Sequence, residues 1–174
     1  MLFRSQDPRV QLPAQVLADQ LHVARELAGL LTDSSRAVLQ ATSEQAQLKA
    51  LKPTGPTADA VQSYLARLDE LLGTTDKKDD EAAKPKAEPK TSLPELQERV
   101  AGLYTEVIRG DAAPTTAQKS TTQAAQGTFS GLAGDWHKLQ SDLPELNKRL
   151  RAAGLAPVRA DLAPPRDLNV ADED

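Results

Sequence analysis

Apolar residues return every third or fourth position along most of this 174-residue chain, the spacing that lines one flank of an α-helix. Pro13 suits a first helical position, where its missing N–H is no loss. Beyond it Leu17, Leu21, Ala24, Ala28, Leu31 and Val38 form a stripe, with Ser35 as its one polar step and Leu27 and Leu30 widening it. This predicts a long amphipathic helix that stops before Pro53, in the breaker cluster KPTGPT. Thr57 is placed to cap a second helix with the stripe Val61, Tyr64, Leu65, Leu68 and Leu72, and Gly73 to end it.

The stretch GTTDKKDDEAAKPKAEPKT, residues 73–91, has no apolar period and mixes both charges with two prolines, so it is expected to be a flexible linker. Its acidic residues Asp76, Asp79, Asp80, Glu81 and Glu88 cancel the field of its lysines. A third helix opens at Ser92, which has capping-box spacing to Glu95, and its stripe is Leu93, Leu96, Val100, Leu103 and Val107. Gly110 can take the left-handed conformation that ends a helix, Pro114 blocks continuation, and Thr115 with Gln118 repeats the capping-box pattern. Stop and start signals this close predict a helical hairpin. The fourth stripe, Ala125, Phe129, Leu132, Trp136, Leu139, Leu143, Leu146 and Leu150, keeps phase across Pro144, which predicts one helix bent there. Gly154 and Pro157 end it.

The expected fold is all-α, an antiparallel four-helix bundle made of two helical hairpins, long-short and then short-long. Residues 1–12 form an irregular lead-in, 13–72 the first hairpin, 73–91 the linker, 92–154 the second hairpin and 155–174 an irregular tail. If the long helices ran antiparallel, their free halves would project together as a two-helix arm. Composition favours helices too: aromatics are only 3% of the chain, and Leu and Ala dominate the apolar set.

The formal net charge of −4 disfavours nucleic acid as a partner. No apolar run approaches the roughly 20 residues of a membrane span, and the first ten residues lack a signal-peptide core. The absence of Cys excludes disulfides, thiolate metal sites and Cys nucleophiles. Leu2-Phe3-Arg4-Ser5 reads like the translation of a sequencing-adapter end, so Met1–Ser5 is expected to be foreign to the gene.

Candidate chemistry is sparse. His22 and His137 sit on different long helices, and His22 has only Glu26 at i+4, two ligands without a third. Trp136 falls within the apolar stripe and is expected in the core. Gly127, Gly131 and Gly134 lie inside a helical pattern, so they form no phosphate loop; small residues there could let a neighbouring helix come close. Asp69 with Glu70, and Asp142 with Glu145, show no reason to converge as an acid/base pair, and TTAQKSTTQ suggests no Ser–His–acid set. No catalytic, cofactor-binding or metal-binding residues are expected, and no enzyme activity.

Four stretches in order, DPRV, QLKAL, APTTAQ and SDLPELNKRLRAAGLAP, together resemble the C-terminal helical region of bacterial sortilin-like β-propeller proteins, usually described as glycosyl hydrolases or exo-sialidase-like proteins. The resemblance runs from Asp7 to about Pro157, although the linker is longer and more charged than the family's. It implies an exported protein, periplasmic or extracellular, whose propeller of Asp-box repeats precedes this region and carries any glycan-handling surface. No Asp-box occurs here. The chain is then expected to be a non-catalytic accessory piece whose partner is the missing N-terminal propeller. The alternative is an independent helical module that binds partner helices or self-associates.

Overall fold

The structure, a computed structural model, describes residues 13–74, 90–110 and 112–160. Within them the chain is an all-α bundle of four helices: α1 (Ala14–Ala50), α2 (Pro56–Leu72), α3 (Leu93–Arg109) and α4 (Thr116–Ala152). The expected lead-in 1–12, residues 161–174 of the expected tail 155–174 and residues 75–89 of the expected linker 73–91 lie outside the described residues.

Local chemistry sets the ends. Ser92 and Glu95 form a reciprocal capping box at α3, and Thr115 and Gln118 do the same at α4, so each helix start has two of its free backbone N–H groups satisfied. Two expected end signals differ. The cap of α2 is Gly55, not Thr57, because Pro56 already supplies a helical φ at the first position. Gly110 is extended (φ −70°, ψ 135°) rather than left-handed. The side-chain amide of Gln20 donates to the carbonyls of Val107 (2.6 Å) and Gly110 (2.8 Å), so the end of α3 needs no left-handed residue to cover them. α4 runs unbroken through Pro144, whose ring lies on the exposed side.

Cross-helix contacts fix the topology. Gln97 bonds Ser35 and Gln20 reaches Val107, so α3 runs antiparallel to the first half of α1. Tyr64 bonds Glu44 and Arg67 pairs with Asp142, which sets α2 against the later halves of α1 and α4. Lys119 lies 3.2 Å from Asp19 at one end, and Gln140 reaches Glu44 further along. The long helices therefore run side by side in the same direction. Within each hairpin the two helices are antiparallel, but the projecting arm does not exist: α1 and α4 are parallel, and the described chain ends, Pro13 and Ala160, lie toward opposite ends of the bundle. The reason is that α2 and α3 share one line. Together they make a third rod, broken at mid-length, that runs back between two 37-residue helices about 55 Å long.

The break is tight. Gly73 is left-handed (φ 67°), and a Cβ there would lie 2.8 Å from Ser92 Oγ, so the end of α2 abuts the start of α3. Two buried clusters result. One joins the later parts of α1 and α4 to α2; the other joins α3 to Val23 and Leu27, and Phe129 and Leu132 pack against both. Residues 155–160 are irregular yet pinned. Val158 is buried, its N–H and C=O both bonded by the Asn147 side-chain amide, and Gln47 holds Arg159 in the same way.

Because the junction is closed by Gly73 and Ser92, deleting residues 75–89 is expected to preserve helicity. It should also raise unfolding stability by about 1–2 kcal/mol, since a shorter loop costs less entropy to close. Circular dichroism with urea titration checks this; loss of cooperative unfolding would refute the broken-rod topology.

Candidate functional site

The residues that sequence singled out do not converge. His22 is exposed and lies 3.6 Å from Glu26, a two-group contact at the start of α1. His137 is exposed beside Arg36 and Asp33, in another part of the α1–α4 seam. Among the described residues no three His, Asp or Glu side chains are grouped to hold a metal ion. Trp136 is buried in the core, as its place in the stripe predicts. The carboxylates near the helix ends are each engaged. Asp69 accepts from Gln45 and Thr74, Glu70 pairs with Lys90 at 2.8 Å, Asp142 with Arg67 and Glu145 with Arg149. Gly127, Gly131 and Gly134 admit no neighbouring helix of this chain, since a Cβ on each would meet nothing within 4 Å. In TTAQKSTTQ, Thr115 caps, while Thr121 and Thr122 donate to carbonyls one turn back.

Among the described residues, buried polar chemistry concentrates elsewhere. Glu44 has no exposed surface (0%) although it carries a carboxyl group. It follows Ser34, Ala37 and Ala41 on the innermost line of α1, and Leu48 completes that line. Gln140 of α4 donates to both its oxygens, at 2.8 and 3.0 Å. The Tyr64 hydroxyl of α2 donates to Oε2 at 3.0 Å, and Gln40 reaches Oε1 at 3.4 Å. One carboxyl thus ties three helices together, and no buried side-chain polar atom is left without a partner among the described residues.

The electrostatics follow from burial. Loss of hydration pushes the Glu44 carboxyl above the usual carboxylate range, against the opposing pull of its bonds from Gln140, Tyr64 and Gln40. Burial also pushes the Tyr64 phenol up, and the neighbouring Glu44 charge adds to this, so Tyr64 remains a donor. No cation is paired with Glu44 among the described residues. The arrangement holds helices together: its donors converge on the Glu44 carboxyl.

Sequence reasoning missed this cluster. A signal existed: Glu44 lies three residues after Ala41 and four before Leu48, on a helical line of small residues. The larger residues Leu31 and Val38 draw the stripe one position round the helix and leave Glu44 off it. The described helices include none long and apolar enough to cross a membrane. Compared with known proteins, the chain matches no family model, no curated protein and no solved structure.

Gln140→Leu removes two of the bonds to a buried carboxyl and is expected to cost about 2–3 kcal/mol of stability. Asp142→Asn breaks only a solvent-facing ion pair and should cost less than about 1 kcal/mol. Urea unfolding of both variants checks the contrast, and equal losses would show that the cluster contributes nothing special.

Proposed function

We propose that this chain is a non-catalytic helical region that packs against another part of a larger protein. The motif resemblance makes that part an exported sortilin-like β-propeller. The observation that carries the reading is a set of large apolar side chains left open at one end. Leu17 (42% exposed) and Leu21 (50%) lie on the first turns of α1, and Ile108 (49%) on the last turn of α3, at the same end of the bundle. Gln20 holds these two helix ends together, so the three side chains belong to one end surface. Pro13 opens α1 there too, so a preceding part of the protein would meet this surface first. Exposed side chains of this size gathered in one place mark interaction surfaces more often than free ones.

The residues of the motif stretches serve packing and capping and not chemistry. Leu48 in QLKAL is core, Thr115 and Gln118 in APTTAQ form a cap, and Leu143, Leu146, Asn147 and Leu150 pack or pin the end of the bundle. Any hydrolase activity would reside in the propeller.

The same apolar end also suits a second copy of the chain, which is the alternative reading. Two experiments separate them. An open reading frame upstream of Met1 that encodes Asp-box repeats is expected, and an in-frame stop with no such repeats would overturn the propeller assignment. Light scattering of the isolated chain is expected to give one mass across concentrations. A mass that rises with concentration, and falls back in the Leu17→Ser, Leu21→Ser double variant, would favour self-association instead.

A further inference from the structure

The Glu44 cluster has a property that packing alone does not require. A buried carboxyl with only amide and phenol partners has no cation to offset its charge when it ionises, and in a low-dielectric interior such a charge opposes burial. Gln140, Tyr64 and Gln40 are neutral donors, so nothing in the cluster changes sign with it. The charged groups on the surrounding elements are engaged elsewhere or outward. On α1, Lys49 lies 3.9 Å from Asp69 of α2, and Arg36 and Asp33 lie near the solvent-facing His137 of α4. Arg67 of α2 is paired with Asp142 of α4.

We propose that Glu44, with Tyr64, Gln140 and Gln40, forms a pH-responsive latch that holds α2 against α1 and α4 more tightly in mild acid than at neutral pH. The carboxyl is the hub of the latch, because Tyr64 of α2 and Gln140 of α4 both donate to it, and the long 3.4 Å bond from Gln40 to Gln140 is the one cluster bond that bypasses it. Its protonated form is neutral and keeps the three helices joined; its ionised form places an unpaired charge between them. Burial moves its titration upward, so the proton is retained above the ordinary glutamate range. The sign follows from linkage. A folded-state value above the unfolded one means the stabilisation is complete below the unfolded value and is lost as pH rises through the folded value. Beyond Leu93, which joins the α2 cluster, α3 packs on the other buried cluster with Val23 and Leu27, so the loosening should stay on the α2 side of the bundle.

The test uses the full chain and Glu44→Gln, which keeps the shape and cannot ionise. Urea midpoints are measured from about pH 4 to about pH 8, across the range in which a raised carboxyl titrates. The wild-type midpoint is expected to fall relative to Glu44→Gln as pH rises, and amide exchange in α2, but not α3, to become faster than in the variant at the same pH. The side-chain carboxyl signal of Glu44 should titrate above that of a glutamate model peptide, and Tyr64→Phe should move it higher still by removing a donor to the ionised form. Parallel pH profiles for the two proteins would overturn the latch. So would a wild type that gains on Glu44→Gln toward neutral pH, since that would mean the donors favour the ionised carboxyl over burial. A Glu44 signal at or below the model-peptide value would overturn it as well.

Discussion

The architecture depends on one close approach, that of Gly73 at the end of α2 to Ser92 at the start of α3. Two 37-residue helices cannot bury their full length against two 17-residue partners unless those partners lie end to end. The left-handed Gly73 lets α2 stop without a side chain in the way, and the Ser92 capping box lets α3 begin at once beside it. The matched lengths then follow, as does the parallel course of α1 and α4. Phe129 and Leu132, packed against both clusters, make the core continuous across the break.

At the narrow centre of α1 the inward line changes from Leu to Ser34, Ala37 and Ala41, and then to Glu44. Small residues bring the helices close, and the carboxyl supplies direction where apolar packing has little. A hydrophobic contact tolerates sliding by a turn, whereas a carboxyl that must meet Tyr64 and Gln140 together fixes three helices in one register. The end of the bundle is closed by similar means. Asn147 and Gln47 each bond both backbone groups of one tail residue, which lets Val158 stay buried without regular structure.

Much of this was legible in the chain. The α3 stripe from Leu93 to Val107 is buried in full, both capping boxes form, and α4 keeps one phase through Pro144. These elements obey local rules, in which spacing and end chemistry decide the outcome. α1 is different. Leu17 and Leu21 lie in phase yet remain exposed, because Val23 and Leu27 face α3 and turn their neighbours outward. Which of two adjacent lines on a helix is buried depends on where its partners sit, and that is a tertiary fact. The same holds for Gln20 closing α3, for Glu44, and for the direction of the long helices, since a hairpin signal gives local reversal but not the relation between the first helix and the last.

The relative direction of α1 and α4 is the central claim, and spin-label distances test it most directly. The chain has no Cys, so cysteines introduced in pairs are its only labelling sites. Labels at Arg25 and Gln123 should lie close, within about 20 Å, and labels at Arg25 and Lys148 roughly 35 Å apart or more, from the helical rise along parallel rods. A short distance from Arg25 to Lys148 with a long one from Arg25 to Gln123 would mean that the long helices run antiparallel, and the broken-rod bundle would be wrong.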